Sequence, residues 1–161
     1  MIFGLTPFVA FHTAITLLAI ASGLAMLAAM LRNRRADLVG AVFLLFSVLT
    51  AVTGFVIQVK PVTPAVTLGI VLSVLLVVAL AARYAFALRG AWRWIYVVTA
   101  VTALWSNCFV LVVQSFQKIA ALHALAPGVP PAGPVFGATQ GIVLLAFVVA
   151  GFLAVRRFRP R

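Results

Sequence analysis

Long apolar runs separated by short basic or Pro/Gly-rich breaks set the pattern of this chain. Stretches without Asp, Glu, Lys or Arg cover residues 1–31, 38–59, 61–82, 94–117 and 119–155. Each is as long as the ~20 residues that carry a helix across a ~30 Å hydrocarbon core. The pattern predicts an all-α integral membrane bundle of five transmembrane helices in a single domain, 1–161. The spans are Phe8–Leu31, Leu38–Val59, Pro64–Ala82, Trp94–Gln117 and Val135–Val155. The last charge-free stretch exceeds one span. Its Ala126–Pro134 portion holds repeated Pro and Gly, which break a helix, so a loop is predicted there.

Small residues mark where helices approach one another, because lipid supplies no hydrophobic force between them. Gly40, Ser47 and Gly54 recur every seven residues on the second span, with Thr50 and Gln58 on the same face. The third span offers Ala65, Gly69 and Ser73, the fifth Gly137 and Gly141, and the first Thr16, Ala19 and Gly23. No internal repeat is evident, so an inverted-repeat transporter is not supported. Five helices bury few positions completely. A homo-oligomer, or a place as a subunit of a larger membrane complex, is therefore expected.

Polar side chains gather toward one end of the spans. His12 and Thr16 are one turn apart on the first span, and Gln58 lies late on the second. Asn107, Gln114 and Lys118 form one stripe on the fourth, and Gln140 lies early on the fifth. The opposite face of the fourth span holds Val101, Phe109, Val112 and Phe116, which suits lipid or apolar packing. Unpaired amides in hydrocarbon are costly, so these side chains predict a polar pocket at that end, with His12, Thr16, Gln58, Asn107, Gln114, Lys118 and Gln140 as ligand-binding candidates. A competing reading makes the amides interhelical hydrogen bonds worth ~0.6–2 kcal/mol each.

Charge adds the orientation. The chain has 12 Lys and Arg against one acid, for a net charge of +11. Ten arginines fall on one side of the five spans and only Lys60 and Lys118 on the other. The positive-inside rule then predicts the N-terminus outside, the C-terminus cytoplasmic and the polar pocket external. The first apolar run lacks a preceding basic segment, so it is expected to be an uncleaved span and not a cleaved signal. Tyr84, Trp92, Trp94 and Tyr96 lie beside Arg83, Arg89 and Arg93, the arrangement of an interfacial aromatic belt. The arginines are read as topology determinants and anionic-lipid contacts, not as a nucleic-acid surface.

Candidate chemistry is sparse. With one acid (Asp37), no Glu and one cysteine (Cys108), paired-carboxylate catalysis, a disulfide and a triad all lack their residues. A zinc site would lack ligands, and no catalytic or metal residue is assigned. A non-enzymatic protein is expected, one that binds a small ligand or lipid, seats a partner subunit, or conducts passively as an oligomer. The alternative is a membrane redox protein that binds quinone or a b-type haem, with His12 and His123 as axial ligands.

The run from Gly90 through Trp92-Arg93-Trp94-Ile95-Tyr96, followed by Asn107-Cys108-Phe109, Gln114, Lys118 and Ala121–Pro127, resembles a group of small bacterial polytopic membrane proteins. The resemblance covers residues 90–127. It implies a multi-pass protein of the bacterial inner (cytoplasmic) membrane and carries over no binding or catalytic residue.

Overall fold

The computed structural model describes residues 6–35, 37–57 and 64–159. It is helical, with α1 at Pro7–Leu31, α2 at Asp37–Ile57, α3 at Pro64–Leu80, α4 at Trp92–Lys118, α5 at Ala120–Leu125 and α6 at Pro134–Arg157. All but the six-residue α5 are long and apolar enough to cross a membrane, α3 with the turn that extends it. This is the architecture of a multi-pass membrane protein.

Local chemistry starts and stops these helices. Thr6 caps α1, its hydroxyl accepting from the Val9 amide at 3.3 Å, and Pro7 occupies the first turn, where a missing N–H costs nothing. Pro134 opens α6 in the same way. The last turn of α6 carries Arg156 and Arg157, whose charge suits the negative end of the helix dipole. Arg93 of α4 donates to the carbonyls of Val155 (2.9 Å) and Phe158, which the end of α6 leaves without intrahelical partners. After α1, Asn33 adopts a positive φ of 52°, and its side-chain oxygen accepts from the Arg159 amide at 2.8 Å. The ends of α1 and α6 are thereby tied together.

Successive spans run antiparallel. Thr16 meets Thr50, and His12 meets Thr53, across α1 and α2. Helices α1 to α4 form a ring, each against the next with α4 closing on α1, and α6 lies outside against α4 and α1. Half of the apolar stretch of α4 is buried, against 6% for α6, so α4 is the central helix and α6 a peripheral one. The core of Met26, Phe43, Leu44, Leu76, Val97 and Leu104 fills the ring nearer the arginine-bearing end. At Gly23 the packing is closest: a Cβ there would lie 2.5 Å from Leu104 Cδ1 and 2.8 Å from Phe43 Cδ2. Glycine lets three helices meet at this level.

Several expectations change on contact with these contacts. Residues 126–133 form the loop, but Pro134 belongs to α6, and the short helix α5 precedes the loop. The arginine-bearing end is not purely apolar inside. A π-helical turn at Ala81–Ala85 extends α3, with the Phe86 amide bonded to the Ala81 carbonyl at 3.0 Å. Its Arg83 points into the bundle, bonding Asp37 Oδ1 (3.0 Å), the Asp37 carbonyl (2.8 Å) and the Tyr96 hydroxyl (3.3 Å). Tyr96 is fully buried and its hydroxyl also reaches Met26 Sδ at 3.4 Å, so it is a core residue and not part of an aromatic belt. Trp92 stacks on Phe86 with ring centroids 3.8 Å apart. Tyr84 and Trp94 remain exposed.

The predicted small-residue faces divide. Gly40 and Gly54 of α2 face the bundle, and Gly69 of α3 lies against the Phe55 ring. Gly137 and Gly141 of α6 face open space. Ala65 falls in α3.

Candidate functional site: a polar-sided cavity within the helix ring

Toward the end away from the arginines, the described residues of α1 to α4 line a half-open cavity of about 460 Å³, within the ~300–1,000 Å³ usual for small-molecule sites. His12, Thr16, Asn107, Gln114 and Lys118 all line it, and Thr50 and Gly54 of α2 join them. Helix α3 supplies an apolar wall through Val66, Gly69 and Leu72, which faces Phe55 of α2. At 1.5 Å rise per residue, Asn107 lies about 16 Å below Lys118 along α4. Asn107 is therefore at the floor and Lys118 at the mouth.

The polar groups near the floor are paired across helices. Asn107, only 3% exposed, donates from Nδ2 to Ser47 Oγ at 3.3 Å. The Thr16 hydroxyl donates to the His12 carbonyl at 2.7 Å. Its single proton is then spent, so the 3.3 Å contact between Thr16 and Thr50 has Thr50 as donor. Thr53 Oγ1 lies 2.7 Å from both the Leu49 carbonyl and His12 Nδ1, so the His12 ring is hydrogen-bonded to α2. Thr13 and Ser115 likewise donate to carbonyls of their own helices, Val9 and Leu111. Their oxygens offer the cavity acceptors and no protons.

Gln114 and Lys118 differ from these. Neither side chain has a hydrogen bond to another described residue, and they lie one turn apart at the mouth. The structure thus separates the predicted stripe on α4 into a paired lower member and two upper members without hydrogen-bond partners among the described residues.

Gln140 is not at the cavity. Its Nε2 donates to the Phe109 carbonyl at 3.2 Å in the α4–α6 contact, and its Oε1 is buried without a partner. Gln58 lies outside the described residues. His123 sits on α5, half-buried with Nδ1 unpartnered, and does not line the cavity. A haem held by both histidines would need them on one space, and His12 is the one of the two that the cavity has. No group of three or more His, Cys, Asp or Glu side chains that could hold a metal occurs among the described residues. The face of α4 opposite the stripe packs against α6: Phe116 meets Phe136 edge-on at 5.4 Å, and Gly151 lies against Val101.

Thr53, Phe55, Ser106 and Ser115 escape a reading of the sequence. Serine and threonine are common in membrane helices as back-bonded residues, so their positions carry a signal only once the faces are known. Phe55 and the α3 wall are apolar like most of the chain and carry none.

The arrangement defines a membrane-helix bundle with an end-opening, polar-sided cavity. No protein-family profile, no curated protein and no solved structure matches the chain.

Proposed function

We propose that this chain is a non-enzymatic, multi-pass protein of the bacterial inner membrane whose cavity holds a small ligand or a lipid. The carrying observation is the void itself. Membrane helices associate through close packing, and a recess of this size gives up wall contacts that an occupant of matching shape restores. The upper residues Gln114 and Lys118, without hydrogen bonds to other described side chains, carry the recognition in this reading, while His12, Thr16 and Asn107 pin the helices around the space. Seating of a partner subunit is the competing use of the same opening, and anionic lipid headgroups are proposed for the exposed arginines. Arg83 and Arg93 already have protein partners.

Gly54→Leu tests the cavity. A Cβ at Gly54 would meet His12 Cε1 at an ordinary 3.6 Å, so the larger side chain can enter the void without a backbone clash. Native mass spectrometry of protein extracted from its own membrane should show a bound small molecule in the wild type. Occupancy should fall at least tenfold in the variant. An unliganded wild type, or full occupancy in the variant, would overturn the proposal.

The orientation proposed places the arginine-bearing end in the cytoplasm and the cavity mouth outside. A cysteine at Arg159 should resist a membrane-impermeant maleimide in intact cells and react after lysis. One at Lys118 should react in intact cells. The reverse pattern would invert the topology.

A further inference from the structure

The contents of the cavity can be narrowed on the assumption that it is a ligand site, as proposed above. The chain has one acidic side chain, Asp37, and Arg83 holds it at the opposite end of the bundle. The Lys118 ammonium therefore has no carboxylate side chain within the protein to neutralise it. Beside it Gln114 offers amide protons and is likewise without a hydrogen bond to the described residues. Below these two, the polar side chains on α1 and α2 are satisfied by one another or by their own backbone. The remaining wall, from Val66, Leu72, Phe55, Val110 and Leu111, is apolar. A cation with no carboxylate side-chain partner is thus exposed at the mouth, beside a half-buried amide and above a space that favours hydrocarbon.

We infer that the cavity takes a single-chain amphiphile with a carboxylate head, the head at Lys118 and Gln114 and the chain directed toward Asn107 along α3. Size agrees. The 460 Å³ lies in the ~300–1,000 Å³ range of small-molecule sites, and the depth of about 16 Å along α4 accepts an extended chain of medium length. A two-chain phospholipid is too large to enter whole. Lys118 also sits in the last turn of α4, where the helix dipole favours a cation. That effect accounts for a positive charge at this end of the helix, but not for its position on the cavity wall beside an unpaired amide.

The test compares dodecanoate with methyl dodecanoate, which has the same chain and no charge. The full-length protein is reconstituted in phosphatidylcholine nanodiscs and ligand occupancy is read by native mass spectrometry. Wild type should favour dodecanoate over the ester at least tenfold. Lys118→Gln should abolish the preference, and Lys118→Arg should retain it. Equal binding of the two ligands, or a preference that survives in Lys118→Gln, would overturn the inference. If both bind equally and Gly54→Leu excludes both, the cavity remains a ligand site and only the carboxylate assignment fails. If neither binds while a native ligand still copurifies, this ligand class is wrong and the cavity reading stands. Absence of any ligand in both experiments removes both.

Discussion

Gly23→Ala should lower stability by ~1–3 kcal/mol, the usual cost of adding a methyl group to a filled core. The added Cβ would fall within 2.8 Å of both Leu104 and Phe43, each fully buried and unable to retreat without displacing a neighbour. Gly54→Ala is the control. Its Cβ meets only His12, at 3.6 Å, and a helix-interior Gly→Ala change gains up to ~1 kcal/mol in propensity. Thermal denaturation in one detergent should therefore move the two variants in opposite directions. A Gly23→Ala protein as stable as the wild type would show that the helices are not in close contact at that level.

The other large effect is expected at the single ion pair among the described residues. Asp37→Leu removes the counterion of Arg83, whose side chain is 11% exposed. Stripping one partner from a fully buried pair costs ~3–5 kcal/mol, but the Asp37 side chain is 68% exposed, so solvent screening brings the expected loss to ~1–2 kcal/mol. The Asp37 backbone carbonyl and the Tyr96 hydroxyl still accept from the guanidinium. Asp37→Asn should cost less, since its amide oxygen remains an acceptor. Adding Arg83→Met to Asp37→Leu should restore much of the stability by removing the stranded charge. If the losses of Asp37→Leu and Arg83→Met add in the double variant the pair is not coupled, and chemical denaturation of the wild type, these two single variants and the double variant measures it directly.

Span number and approximate bounds were legible in the sequence because they depend on charge-free length alone, which hydrocarbon thickness dictates. The convergence of His12, Thr16, Asn107, Gln114 and Lys118 on one space was legible from helical periodicity plus alternation of direction. Gln140 failed the same test because its depth matched but its helix lies outside the ring, and depth is silent on which helices are neighbours. His123 was assigned no helix because six residues between two spans leave too little periodicity to read. Arg83 continues the inward face of Leu72, Leu76 and Ala79, eleven, seven and four residues on, yet a basic residue that ends an apolar run reads first as a membrane boundary. The lone acid in a chain so rich in arginine is itself a sequence signal for an ion pair.

The closed layer of Gly23, Phe43 and Leu104 also shapes how a membrane voltage would act on this protein. An opening on one face that water or a polar headgroup can enter brings the bulk potential inward to its floor. The remaining drop, worth ~2.3 kcal/mol per elementary charge per 100 mV across its full extent, then falls over the sealed half of the bundle. Lys118, at the mouth, lies outside that drop, so a charged occupant could arrive or leave there with little electrical work. Side chains within the sealed layer would sense the field instead.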